Sequence, residues 1–230
     1  MSLELPMLFC WTRFGTEAGQ SLEQILRRKE EERSANDGVF LWGIGNAVGP
    51  GMEELVRRCN APEVLFSPIA GKARKVDVAP DSVVAWTSGE TNDGRQFPLP
   101  TRSLVTSRQS TSSASASHYA LICFSREPLV LRVPFGSLTF SSLRNLLSGS
   151  RVGASQVTAV VARDRESPIE GRVYEVALRA HLVHPYFIRL RQPVVLSSCS
   201  SAAGWAGAVD SAWSRRAQQS LTQALQGGGT

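Results

Sequence analysis

Val39-Phe40-Leu41-Trp42-Gly43-Ile44-Gly45-Asn46-Ala47-Val48-Gly49 reads as a strand that breaks at a glycine-rich turn and runs into a helix. Val, Ile, Phe and Trp favour the pleated backbone, and glycine releases it. A phosphate or dinucleotide site needs this setting, but the spacing here differs from such a site. Gly43, Gly45 and Gly49 give G-x-G-x-x-x-G, and no Lys-Ser/Thr follows. The next strand, Val64 to Ser67, runs into Pro68 where a ribose-binding acid would stand. No nucleotide cofactor is expected. The glycines are expected to let the backbone turn tightly or approach something flat.

Upstream, Met7 to Phe14 is a strand ended at Gly15, and Ser21 opens a capping box with Gln24. Leu22, Ile25 and Leu26 follow at helical spacing. Glu30, Glu31 and Glu32 beside Arg27, Arg28 and Lys29 read as the solvated face of that helix, which Asn36-Asp37-Gly38 stops. Met52 to Arg58 is a short helix with Glu53 and Glu54 in its first turn and Arg57 and Arg58 in its last. Downstream, 63–67, 73–78, 82–87, 119–124, 129–133, 157–162, 173–182 and 187–196 are strand-like. Ser141 to Leu147 is expected as a helix ending at Gly149, and Val209 to Leu225 as a second one with Val209, Trp213, Leu221 and Leu225 inward. Many short strands with few helices predict an α+β fold, a curved or closed mixed β-barrel with flanking helices. Residues 1–200 are expected as one domain carrying a Ser-rich loop at 107–117. Residues 201–230 would add a C-terminal helix and tail.

Among the 230 residues, 42% are hydrophobic and 20% charged, so a packed core is available and global disorder is not expected. No apolar run reaches the ~18–20 residues of a membrane span, and the first six residues lack the basic flank of a secretory signal. A cytoplasmic location is the expectation. Cys10, Cys59, Cys123 and Cys199 are scattered singly, which encodes neither a zinc site nor a disulfide framework.

The net charge of +5 is unevenly placed. Residues 1–110 hold 13 basic and 14 acidic side chains, whereas 111–230 hold 12 basic and 6 acidic, and all 12 are Arg. The planar guanidinium fork suits phosphate, which points to a nucleic-acid partner rather than a membrane. A solubilising surface accounts for the same charge if no such partner exists. Arg13, Arg102, Arg108, Arg189 and Arg191 are the candidate phosphate contacts.

Catalytic signals are sparse. There is no G-x-S-x-G elbow. His181 and His184, three apart on a strand, point to opposite faces, and no acid–base pair of carboxylates declares itself. Aromatic residues followed by small polar ones do recur at strand ends: Trp11-Thr12-Arg13, Trp42-Gly43-Ile44-Gly45-Asn46 and Trp86-Thr87-Ser88. Converging, they would form a flat-walled pocket for a planar heterocycle. Separately, each indole would be an ordinary core residue with an internal partner for its N–H.

The order strand, helix, strand ending Trp42-Gly43-Ile44-Gly45-Asn46, followed by Asp81-Ser82-Val83-Val84-Ala85-Trp86-Thr87-Ser88, resembles the EVE domains of the PUA-like superfamily, relatives of the YTH and ASCH domains. Trp42 and Asn46 match the family's first stretch, and Trp86 with Ser88 its second. Pro80 stands in place of the family's glycine and Thr87 in place of its histidine. The resemblance spans roughly residues 8–90. It implies a PUA-like barrel in which an aromatic cage receives a nucleobase, modified or not, beside a basic surface. Trp11, Thr12, Trp42, Gly43, Asn46, Trp86, Thr87 and Ser88 would line the pocket. The expected function is a reader of RNA or DNA, without catalysis, cofactor or metal. The alternatives are a nuclease or base-modifying enzyme on the same scaffold, for which His118 beside Tyr119 is the hint, and a protein-interaction module using the helix Val209–Leu225 and the Ser-rich loop.

Overall fold

The computed structural model describes residues 4–15, 20–45, 48–69, 83–99, 104–106, 118–130, 134–153, 155–164 and 172–195. Strand β1 (Leu8–Phe14) leads to α1 (Leu22–Ala35), β2 (Val39–Ile44), α2 (Gly49–Arg58) and β3 (Glu63–Pro68). Then come β4 (Val83–Glu90), β5 (Gln96–Pro98), β6 (Leu104–Thr106), β7 (His118–Phe124), β8 (Gly136–Thr139), β9 (Leu143–Asn145), β10 (Thr158–Arg163), β11 (Val173–Val176) and β12 (Leu178–Val195). The expected strand at 73–78, the Ser-rich loop and the helix at 209–225 lie outside the described residues.

Local chemistry sets the helices. The Ser21 hydroxyl accepts from the Gln24 N–H, and Gln24 Oε1 accepts from the Ser21 N–H at 2.7 Å, the reciprocal cap read from the sequence. The chain leaves α1 through Asp37 and Gly38, both at positive φ. At Gly38 a Cβ would come within 2.8 Å of the Phe124 ring, so the turn needs glycine for space as well as conformation. Helix α2 starts at Gly49, earlier than expected, with Pro50 in its first turn. A Cβ on Gly49 would sit 3.2 Å from the Phe187 ring, and one on Gly51 3.0 Å from Val160. The flat object that Gly49 approaches is thus a ring of the same chain, whereas a Cβ on Gly45 would meet nothing within 4 Å.

The main sheet runs in the order β2-β7-β12-β3-β1-β10-β9, with β1 and β3 parallel and the other pairs antiparallel. The distal part of β12 also pairs with β4, whose other neighbours are β5 and β6, while β8 and β11 pair separately. Among the described residues the path does not return on itself, so the sheet is not closed into a barrel; the expectation of closure is corrected to a mixed α+β sheet with two helices among those residues. It is nevertheless strongly curved. β1 and β2 stand four places apart, about 19 Å in a flat sheet, yet the Phe14 and Trp42 rings meet edge to face at 5.6 Å.

Three buried clusters follow from strand alternation. On the concave face Cys10, Phe14, Trp42, Val64 and Phe66 pack against Ile25 and Leu26 of α1 and Met52 and Leu55 of α2. The opposite face is divided. Phe9, Trp11, Leu65 and Val161 lie under β8 and β11, and Val39, Leu41, Ile122 and Ile188 share a second cluster with Trp86 and Leu99.

Three expectations fail. The segment Ser141 to Leu147 is not a helix: a 3-10 turn at Phe140–Ser142 passes into β9. Its leucines serve different surfaces, Leu143 in the back cluster, Leu146 in the concave one and Leu147 55% exposed, so no helical stripe exists. Leu129 and Val130 are not in a strand, and 131–133 fall outside the described residues. The supposed solvated face of α1 is partly buried: Lys29 and Glu32 are only 3% and 1% exposed and pair at 2.6 Å. Glu32 Oε1 also accepts the Leu41 N–H at 2.8 Å, satisfying a backbone group of the terminal strand β2.

Candidate nucleic-acid interface

The indoles do not share a mouth. Trp11, Trp42 and Trp86 are 0%, 8% and 6% exposed, and each belongs to a different buried cluster. Trp11 donates its Nε1 hydrogen to Ser67 Oγ at 3.0 Å and packs edge-on to Tyr174 at 5.1 Å. Trp42 lies between Phe14 and Phe66, centroids 5.6 and 4.7 Å away. Trp86 tilts against His118 at 5.0 Å. The three-tryptophan pocket is therefore corrected: these rings place their large apolar area in the core, with the Trp11 N–H satisfied internally.

Thr12 is buried on the opposite face from Trp11 and shares a hydrogen bond with Thr158 at 3.0 Å. Gly43, near the end of β2, and Thr87, in the middle of β4, are exposed on separate strands. Ser88 is half-buried with its hydroxyl unpartnered, beside Arg191 in register. Asn46, Arg102 and Arg108 lie outside the described residues. Arg191 donates Nε–H to Glu90 Oε2 at 2.7 Å, which holds the Glu90 carboxyl below its usual range, so this arginine is already matched by a charge of its own chain. Arg189 stands across from Glu90 and Tyr119 on the same strand.

Arg13 is placed differently. Alternation along β1 puts it on the same face as Trp11, where its Cζ lies 5.7 Å from the Trp11 ring centroid and 5.5 Å from that of Tyr174. Its Nη1 donates to the Tyr174 hydroxyl at 3.0 Å. Arg172, exposed at the start of β11, has its Cζ 5.2 Å from the same ring. Tyr174 thus carries two guanidinium groups, an arrangement favoured by the ring quadrupole but opposed by their mutual repulsion. Among the described residues Arg172 has no ion-pair partner. Phe140 contacts both Trp11 and Tyr174, and the half-exposed Val157 gives its carbonyl to the Arg13 N–H at 2.7 Å.

The sequence singled out Trp11, which is a core residue, and Arg13, but neither Arg172 nor Tyr174. The signal was present: Arg172-Val173-Tyr174 is a strand alternation that puts arginine and aromatic on one face. The partner strand β1, some 160 positions away, could not be read from it. An exposed guanidinium beside an aromatic ring can take a phosphate through its donors or a base on its plane.

Among the described residues no group of three His, Cys, Asp or Glu is disposed to hold a metal, and no helix is long and apolar enough to cross a membrane. No protein-family model matches the chain, and neither a curated protein nor a solved structure matches it.

Proposed function

We propose that the chain is a nucleic-acid-binding module on a PUA-like scaffold, with its contact surface centred on Arg13 and Arg172, both packed on the buried ring of Tyr174. The strand–helix–strand opening and the strong curvature of the sheet support the scaffold. The observation that carries the binding reading is Tyr174, with a guanidinium within 5.5 Å of its ring from β1 and another from the residue just before β11. In this reading the arginine donors hold phosphates, and a base splayed from a single strand stacks on the plane of Arg172. The base is received on a surface instead of in a cage of indoles.

Fluorescence anisotropy of labelled single-stranded RNA and DNA, titrated from 50 to 200 mM salt, tests this. Binding should weaken with salt, and Arg13→Ala and Arg172→Ala should each lower the log–log slope by about 0.7, the loss of one phosphate contact. Absence of binding at 50 mM salt, or variants identical to wild type in affinity and slope, would refute it.

A further inference from the structure

On the same face of the sheet as Arg13, four residues along β3 from Arg13's register partner Ser67, stands a second polar group. Glu63 opens β3 and is more than nine-tenths buried. Its Oε1 accepts from Arg179 Nη2 at 2.6 Å, while its Oε2 is enclosed with no partner. Directly across the strand pair is His181, whose Nδ1 lies 3.6 Å from Glu63 Oε1 and is likewise enclosed without a hydrogen bond. An enclosed acceptor and an enclosed ring nitrogen without partners are both costly, and a shift of the imidazole by under about 1 Å would bring Nδ1 within hydrogen-bond distance of Oε1. An Nδ1–H aimed at a carboxylate leaves Nε2 as the unprotonated, outward nitrogen, the arrangement of an oriented proton acceptor. The His181 side chain is about one-third exposed on that outward side.

We infer that His181, positioned by Glu63, accepts a proton from the 2′-hydroxyl of bound RNA, with Arg179 and Arg126 facing the adjacent phosphate. The inference rests on the nucleic-acid reading and narrows its substrate to a strand with 2′-hydroxyls. His181 Nε2 takes the 2′ proton as the 2′-oxygen forms a bond to phosphorus. The bond from phosphorus to the 5′-oxygen breaks, and the departing oxygen is protonated by the proton returned from His181 through solvent. The products are a 2′,3′-cyclic phosphate and a 5′-hydroxyl, with no other reactant consumed. The guanidinium donors of Arg179 not engaged by Glu63 offset charge on the pentavalent phosphorus. The groups facing the imidazole are Glu63 from β3, Arg179 from β12 and Arg126 from the segment after β7. Burial holds the imidazole below its usual pKa; Glu63 acts against this and the two arginines with it. The balance favours the neutral imidazole.

The test incubates the full chain with a labelled RNA oligonucleotide and its 2′-O-methyl counterpart, in EDTA, measuring binding by anisotropy and products by mass. Wild type should yield cyclic phosphate from the RNA alone, at a rate that rises with pH and then levels off. His181→Asn and His181→Gln should lose at least about 100-fold in rate with binding unchanged. Glu63→Gln should slow cleavage and move the midpoint of the pH profile downward, a change that a purely structural role would not produce. RNA that binds and stays intact, or histidine variants that cut at the wild-type rate, overturn the inference and leave the binding reading standing. Failure to bind any oligonucleotide removes both.

Discussion

Replacing Glu32 with Gln isolates what its buried charge does for the fold. The amide oxygen can still accept the Leu41 N–H that Glu32 holds at 2.8 Å, so the contact with β2 survives while the countercharge of Lys29 disappears. Burial already lowers the Lys29 pKa from 10.5 to about 8 with Glu32 in place, a penalty of about 3 kcal/mol on the charged amine. An unpaired buried charge costs about 3–5 kcal/mol. Urea unfolding at pH 7 should therefore show Glu32→Gln destabilised by about that much, and Lys29→Met/Glu32→Gln recovering most of the loss. The sign with pH also follows. A lysine with a lowered folded pKa makes the unfolded state bind more protons between about 8 and 10.5, so stability rises with pH across that window. Relative to Lys29→Met, wild type should gain up to about 3 kcal/mol there. A Glu32→Gln variant as stable as wild type, or a double variant no better than the single one, would refute this account.

Trp42→Ala, which the resemblance would make a binding variant, should instead cost about 3–5 kcal/mol, because its ring fills the concave core between Phe14 and Phe66; an unchanged thermal midpoint with lost oligonucleotide binding would reverse that conclusion. In a Cys199→Ser background, a thiol reagent should label Cys59 in the native state and leave Cys10 and Cys123 unmodified until unfolding. Burial pushes the Cys10 thiol up to about 12 and that of Cys123 well above its ordinary value, whereas Cys59 is partly exposed. Native labelling at three sites would contradict the packing.

Patterns confined to a few neighbouring residues were legible. The capping box at Ser21, the strands β1, β2, β3 and β7, and the stop at Asp37-Gly38 all rest on local chemistry, and each is present. What depended on strand order was not. Three tryptophans at strand ends look alike in sequence, but β1 and β2 are separated by three other strands, and Trp86 reaches yet another cluster. Likewise Lys29 and Glu32 sit inside a charge run whose neighbours Arg27 and Glu31 are exposed. Only the unpaired edge of β2 explains why one carboxylate turns inward. The leucines of 143–147 failed for the opposite reason: their spacing fits a helix by coincidence, while Gly149 at positive φ and Asn145 accepting the Leu147 and Ser148 N–H groups make a turn.

Strand β12 joins β3, β7 and β4 along its 18 residues, and every other described strand precedes it. While the ribosome is still making the first 170 residues, β3 and β7 each lack the neighbour that later fills the space between them. Both carry buried apolar side chains, Val64, Leu65 and Phe66 in one and Leu121, Ile122 and Phe124 in the other, and such strands recruit foreign ones when left open. Synthesis of this protein thus passes through a stage in which the middle of its sheet is missing, and yield in the cell should depend on chaperones that shield those two rims until the last long segment arrives.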